Sequence, residues 1–402
     1  MVTYPNDWNS LTLGDLGSIK MCRRIFSHQT EKSGQIPFYK IGTFGKKADA
    51  YISRDLYESY KNLYPYPKKG NILISAAGTI GRTVTFDGKD AYFQDSNIVW
   101  LDTSDVEIDS TFLKYFYESY PWTNLEGTTI RRLYNSLILG TSISLPSLPE
   151  QKSIAETLSC MDEHIANLTE LIEKKKGIRN GALENLVSGK TRVKGFTGKW
   201  ENVTFNSVIT PKARIGWQGL KKHEYLMSGY SYLIGGTDFY HGTVSLRNIS
   251  YVSKERYDMD TNIQVKENDV LVTKDGTIGK VAIVPPLSKP ATLNSGVFVF
   301  RTTTRLAPSF LYRVLSSSVF RKFIDALSAG STIKHLYQKD LKKFEFNIPK
   351  DVDEQKEIVE ILSSLDAEIT SLEEEKDKMM QIKAGAMDDL LTGRVRLMRQ
   401  GG

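Results

Sequence analysis

Residues 149–189 read PEQKSIAETLSCMDEHIANLTELIEKKKGIRNGALENLVSG, and residues 353–393 read DEQKEIVEILSSLDAEITSLEEEKDKMMQIKAGAMDDLLTG. A constant offset of 204 lays one on the other without a gap, and roughly eighteen of about forty-four positions from Pro149 to Arg192 are identical. The chain is therefore a tandem duplication. In the first copy Ile154, Leu158, Met161, Ile165, Leu168 and Ile172 alternate steps of four and three, the spacing of a coiled-coil seam rather than the wider stripe of a helix lying on a core. Ile358, Leu362, Leu365, Ile369 and Leu372 repeat it. Pro149 suits a first helical turn, and Gly189 and Gly393 stand where a left-handed cap would end each helix. About forty residues at about 1.5 Å each predict a rod of roughly 60 Å. Neither rod buries its seam alone, so an antiparallel pair related by a pseudo-twofold axis is expected. The alternative is that each helix docks separately on its own domain.

The flanking segments repeat more loosely. WNSLTLGDL from Trp8 matches WENVTFNSV from Trp200, both with strand-like alternation, and AYIS from Ala50 matches SYVS from Ser250. Lys68–Phe86 matches Lys266–Val284, with Gly78-Thr79-Ile80-Gly81 on Gly276-Thr277-Ile278-Gly279. Helical stretches at Phe112–Tyr120 and Phe310–Ile324 lead to TTIRRLY from Thr128 and STIKHLY from Ser331, then to a short strand ending at Pro146 or Pro349. The expected architecture is α+β, with strand-rich domains at 1–148 and 197–350 and long helices at 149–196 and 351–402, the last including the C-terminal tail.

Charge is distributed unevenly among these segments. Residues 1–148 carry 16 Lys and Arg against 15 Asp and Glu, residues 149–196 carry 8 against 7, residues 197–350 carry 22 against 12, and residues 351–402 carry 7 against 13. Almost all of the basic excess lies in the second strand-rich domain, which favours a polyanionic partner, nucleic acid first. No run is long and apolar enough to span a membrane, no signal peptide is recognisable, and two cysteines give no disulfide framework, so a cytoplasmic protein without a membrane partner is expected.

The paired GTIG motifs lack the spacing of a phosphate-binding P-loop and fall between strands, so they predict a turn whose glycines supply positive φ. Arg82 and Lys280 follow directly and are placed to reach a phosphate. No catalytic or metal site is expected. The five histidines are scattered without ligand spacing, no Ser/His/Asp or H-E-x-x-H arrangement occurs, and Pro285-Pro286 lacks the polar and aromatic neighbours of amino-methyltransferase chemistry.

A strand-rich domain, an EQK-led helix, then the same again closely resembles the specificity (S) subunit of type I restriction-modification systems across essentially the whole chain. LPSLPEQKSIAETLSCMDEHI and DEQKEIVEILSSLDAEI, each behind a GTIG-bearing domain, carry the resemblance; Asp351-Val352-Asp353 departs from the Pro-x-x-Pro run before the first helix. The resemblance implies a non-catalytic reader of double-stranded DNA with two target-recognition domains, each reading half of an asymmetric bipartite site. The helices would act as a ruler between them. It also implies two methyltransferase (M) subunits, which bind S-adenosylmethionine and methylate adenine N6, and optionally two restriction (R) subunits, which use ATP and Mg. The chain itself is expected to bind no cofactor. A coiled-coil interaction scaffold without a sequence-specific DNA role is the competing reading, and it leaves the basic second domain unexplained.

Parts shared by both halves cannot distinguish two different half-sites, so base reading is assigned to divergent basic and polar stretches. In the first domain these hold Arg23, Arg24, Lys46 and Lys47; in the second they hold Lys212, Arg214, Gln218, Lys221, Lys222, His223 and the run Asp238–His241. Arg131 and Arg132 match Lys334 and His335, so phosphate contact suits them better, as it does Arg82 and Lys280.

Overall fold

In the computed structural model, residues 4–103, 106–122, 132–214, 219–328 and 335–397 are described. Each repeat is a single helix of 40 residues, Leu148–Val187 and Val352–Leu391. Beyond their ends Gly189 and Gly393 both adopt φ 71°, the left-handed conformation the repeat predicts, and a Cβ there would lie 3.1 Å from the Trp200 ring or 2.5 Å from Pro5. At the divergent second start, the Asp351 carboxylate accepts the Asp353 amide at 2.9 Å. An N-cap thus replaces the proline run as the device that starts the helix.

Packing groups the chain into two compact units, residues 1–169 with 374–402, and residues 170–373. Their boundary falls in the middle of both long helices. Within the first unit Lys383 Nζ meets Asp162 Oδ1 at 2.5 Å and His164 meets Glu375 at 3.6 Å, while Ile154 and Leu158 share a core with Leu390 and Leu391. Numbers rising along one segment meet numbers falling along the other, so the segments run antiparallel. The second unit repeats this with Arg179 against Asp366 at 3.5 Å, Lys176 against Glu373 at 2.8 Å, and Leu183 and Leu186 in one core with Ile358 and Leu362. Asp162 and Asp366 are equivalent under the sequence offset, as are Lys383 and Arg179.

The seam residues Ile154, Leu158, Leu168, Ile172, Ile358, Leu362 and Ile369 are buried, and Met161, Ile165, Leu365 and Leu372 are half-buried. Their burial is more mixed than a two-helix seam predicts. Ile154 and Leu158 also pack on Phe112 and Tyr115 of the preceding domain, and Ile358 and Leu362 on Phe310 and Leu311. The two expected alternatives thus hold together, because the first turns of each helix lie between their own domain and the end of the other repeat. Truncating Leu158 or Leu362, both at 0% exposure, to alanine would cost about 2–5 kcal/mol.

In the first unit, strand Asn9–Thr12 pairs antiparallel with Ser142–Leu145, the strand that feeds the long helix. An antiparallel sheet orders Ser18–Lys20, Ile98–Asp102, Ile72–Ser75 and Thr83–Thr85. A smaller one orders Ala50–Ile52, Ile36–Tyr39 and Tyr92–Phe93, the last pair parallel. The second unit repeats the plan: Trp200–Thr204 pairs with Glu345–Pro349, and Ile209–Ala213, Val297–Thr302, Val270–Thr273 and Val281–Ile283 form the corresponding sheet. Here a hairpin, Phe239–Tyr240 with Thr243–Val244, adds two strands beyond Val281–Ile283.

Two expectations need correction. The strand read from Trp8 stops at Thr12, whose hydroxyl and Asp15 form a reciprocal cap for the one-turn helix Leu13–Leu16. The helical stretch expected at Phe310–Ile324 is two helices, Pro308–Ser316 and Ser318–Ser328. They part at Ser317, whose hydroxyl accepts the Val319 amide at 3.2 Å, while Glu184 takes the Ser318 amide at 2.7 Å.

Candidate nucleic-acid interface

Each GTIG motif is a tight connection between antiparallel strands, Ile72–Ser75 to Thr83–Thr85 and Val270–Thr273 to Val281–Ile283. Gly78, Gly81, Gly276 and Gly279 have φ of 65°, 81°, 69° and 80°, which β-carbon sterics make expensive for other residues. The Ser75 hydroxyl donates to the Thr79 carbonyl and accepts the Arg82 amide; Thr273 does the same with Thr277 and Lys280. The turn is built from its own backbone and one hydroxyl, and it is the fixed point around which other loops gather.

In the first unit four connections tie those loops together. Arg24 Nε donates to Asp95 at 2.9 Å, and Arg132 Nη2 donates to the Ser96 carbonyl at 3.0 Å, with Ser96 held at φ 51°. The Gln94 side chain accepts the Ile41 amide at 2.9 Å, and Arg82 Nη1 donates to the Phe44 carbonyl at 3.1 Å. Arg132 also bridges Ala77 beside the turn. Residues from four distant stretches, Arg24, Lys46 and Lys47, Arg82, and Arg132, are thereby assembled around Gly78–Gly81. Lys46, Lys47, Arg23 and Arg24 are exposed, with Arg23 over the Tyr64 ring at 5.2 Å. Arg82 and Arg132 are half-buried and spend donors on backbone carbonyls, so they shape the loops as well as carrying charge.

The second unit has the same centre with a different rim. His335 pairs with Asp275 at 2.6 Å, and Leu336 donates its amide to the Lys274 carbonyl at 2.8 Å, as Leu133 does to Ala76. Tyr225 donates to Asn294 at 3.3 Å, bringing in the segment of Lys221, Lys222 and His223. These three, with Lys280, are exposed, and Lys212 is half-exposed on its strand.

Arg214 departs from the sequence expectation. It is 2% exposed, donating Nε to the Leu293 carbonyl at 3.0 Å and Nη2 to Thr292 Oγ1 at 3.5 Å, and burial first, then nearby Arg256, pushes its pKa down. A guanidinium so enclosed supports the Asn294 loop from beneath; composition could not reveal this, since Arg214 follows the strand Ile209–Ala213 and is enclosed through partners about eighty residues away, Leu293 and Thr292. Arg131, Gln218 and Lys334 lie outside the described residues. The sequence reading missed the organising roles of Asp95, Ser96 and Asn294. Their local signal is weak: one serine with positive φ and polar residues that do not match between the halves.

The EQK motif is explained by geometry rather than by chemistry on a ligand. Glu150, 4% exposed on its side chain, takes Arg396 at 2.6 Å, and Glu354, 2% exposed, takes Arg192 at 2.7 Å. Arg396 and Arg192 lie over the Trp8 and Trp200 rings. Gln151 and Gln355 accept the amides of Asp109 and Ala307, at the start of each domain helix, at 2.9 and 2.8 Å. Asp162 is exposed to opposing influences: burial raises its pKa, but hydrogen bonds from Lys383 and Tyr115 outweigh it and hold the carboxyl below its usual range. Among the described residues no group of three or more His, Cys, Asp or Glu could hold a metal ion, and no helix is long and apolar enough to cross a membrane.

The sequence model of the type I restriction modification DNA specificity domain matches residues 5–176 and again 199–381. Among curated proteins, the chain is 53% identical over 160 residues to a putative type I restriction enzyme specificity subunit of Haemophilus influenzae, covering 40% of this chain and 42% of that relative. It is 25% identical over 413 residues to the MjaVIII specificity subunit of Methanocaldococcus jannaschii, covering 98% and 94%. Among solved structures, the type I restriction-modification S subunit from M. genitalium superposes with a TM-score of 0.58 at 17% identity, covering 96% of this chain and 97% of that one. A chain from a structure of type I restriction-modification complex assembly does so with 0.62 at 15% identity, covering 98% and 100%; both are likenesses of fold.

Proposed function

The chain belongs to the type I restriction-modification DNA specificity family, and from that premise we propose that it reads an asymmetric, bipartite duplex DNA site, one half with each strand-rich domain. It directs adenine methylation by two M subunits, which bring S-adenosylmethionine, and cleavage by R subunits, which use ATP and Mg. The chain contributes recognition and no catalytic group of its own.

The observation that carries this reading is the doubled loop cluster: one Gly turn with one hydrogen-bond plan in each unit, rimmed by different side chains. A shared centre suits what the half-sites have in common, the phosphate backbone, and a divergent rim suits what differs, the base edges. The long helices then act as a ruler. Inserting four residues after Ile172 and four at the equivalent point after Lys376 adds about one turn, roughly 6 Å, and nearly keeps the seam in phase. At about 3.4 Å per base pair the half-sites should move apart by one or two base pairs with their sequences unchanged. Genome-wide mapping of modified adenines tests this, and an unchanged spacer in an active complex rejects the ruler.

A further inference from the structure

We infer that the tip of the added hairpin, Tyr240-His241, is a specificity element for the half-site read by the second domain, docked in a groove while Lys280 and Arg321 hold the adjacent DNA backbone. The inference rests on the DNA-reading function proposed above and deepens it to named residues.

The hairpin is an elaboration of one half only. In the first unit the sheet ends at Thr83–Thr85, whereas in the second the corresponding Val281–Ile283 is followed by Thr243–Val244 and Phe239–Tyr240. What stands next to Thr83–Thr85 is the loop of Gly45, Lys46 and Lys47: Gly45 has φ 71° and approaches Val84. The same place beside the sheet thus carries two lysines in one half and an aromatic pair in the other. Shared scaffolds cannot discriminate unequal half-sites, so a position of matched topology and unmatched chemistry is where discrimination is expected.

The tip is rigid and displayed. His241 and Gly242 have φ of 47° and 77°, the two-residue turn that matches strand twist. Histidine is tolerated there less well than glycine or asparagine, and its side chain is exposed. Tyr240 is 64% exposed, and its ring meets the His241 ring edge-on at 4.2 Å. The base of the hairpin is clamped by Asp238, which accepts the Gly235 amide at 2.7 Å and whose carbonyl accepts the Ser245 amide at 2.8 Å. The Gly242 carbonyl accepts the Ile283 amide at 2.9 Å.

A cleft of about 340 Å³ opens beside the tip, lined by Gly242 together with Lys280, Arg321, Tyr312 and Ser316. Asp325 is the one carboxylate of its lining among the described residues, so two cations face one anion next to a projecting aromatic pair. Cations that take phosphates beside side chains that meet base edges is the division of labour of duplex-reading surfaces. Tyr240 supplies a hydroxyl for a base edge or an apolar ring for a thymine methyl, and His241 supplies a ring donor and acceptor.

The test compares modified-adenine maps from cells expressing the full chain with its M subunit, as wild type, Tyr240→Ala, Tyr240→Phe, His241→Asn and Lys46→Ala/Lys47→Ala. His241→Asn keeps a residue suited to the left-handed turn, and a surface tyrosine can be shortened without touching the core. Tyr240→Ala is expected to lower site occupancy about 5- to 100-fold, or to relax a base in one half-site, leaving the other half-site unchanged. His241→Asn changes the same half-site, and the lysine pair changes the opposite one. Tyr240→Phe separates apolar contact from hydrogen bonding, since it retains the first alone. Unchanged motif and occupancy in both Tyr240→Ala and His241→Asn overturns the inference, as does equal change in both half-sites. If Tyr240→Ala abolishes modification altogether, His241→Asn decides by the same criterion. A wild-type map without any bipartite motif would reject the DNA-reading proposal itself, and this inference with it.

Discussion

Substituting the glycines of the two GTIG turns one at a time separates a structural turn from a phosphate cradle. All four have positive φ, and placing alanine there costs about 1–2 kcal/mol of backbone strain, partly offset by about 0.4–1 kcal/mol from the less flexible unfolded chain. For Gly276 that is the whole effect, because nothing lies within 4 Å of a Cβ built on it; the net loss should be about 1 kcal/mol. Gly81 differs, since its Cβ would stand 2.4 Å from Trp122 Cδ1. Trp122 is 3% exposed and its indole N–H is tied to the Tyr117 carbonyl at 2.8 Å, so displacing it adds an overpacking cost of about 1–3 kcal/mol. Gly81→Ala should therefore lose about 3 kcal/mol in total. At about 2–4 °C per kcal/mol for a body of this size, thermal unfolding should show Tm falling by about 2–4 °C for Gly276→Ala and about 6–12 °C for Gly81→Ala. Gly279→Ala, with Ile324 at 3.2 Å, should lie between. DNA affinity of Gly276→Ala should stay within about threefold of wild type, under about 0.7 kcal/mol. A Gly81→Ala protein as stable as Gly276→Ala would refute the steric reasoning. A fully stable Gly276→Ala protein that has lost DNA binding would show that the motif cradles phosphate after all.

Three further outcomes follow from the geometry. Asp162, held below its usual carboxyl range by Lys383 and Tyr115, contributes stability above the unfolded pKa of about 3.9 that disappears as pH falls through the lower folded value; Asp162→Asn should be destabilised at neutral pH by a margin that narrows as pH falls below about 3.9 in denaturant titrations, and a margin that stays constant across that fall would sink this. Lys221→Ala/Lys222→Ala should flatten the logarithmic salt dependence of DNA binding by about 0.9 for each phosphate these lysines neutralise, measured by fluorescence titration from low to moderate salt, and an unchanged slope would remove that segment from the interface. The purified chain incubated with S-adenosylmethionine and DNA should transfer no methyl group until an M subunit is added; transfer by the chain alone would contradict its non-catalytic role.

The linear sequence was sufficient for whatever depends on periodicity and repetition. The steps of four and three from Ile154 to Ile172 specify a seam whatever it packs on, and the offset that equates Gly189 with Gly393 makes both left-handed caps visible, because cap conformation depends on one residue and its neighbours. The GTIG turns were legible for the same reason: positive φ is a local demand. Tertiary structure alone decided which cation meets which acid. Glu150 and Arg396 are far apart in sequence and close at 2.6 Å only because the end of one repeat returns to the start of the other, and no spacing rule encodes that. It also decided the fate of individual basic residues. Arg24 and Arg214 look alike in composition, yet one is exposed beside Asp95 and the other is buried beneath the Asn294 loop, since each follows the end of a strand and its surroundings are set by a loop distant in the sequence. The hairpin that carries Tyr240 was invisible for a related reason: its strands are two residues each, too short to show alternation, and they exist as strands because Val281–Ile283 offers them an edge to pair with.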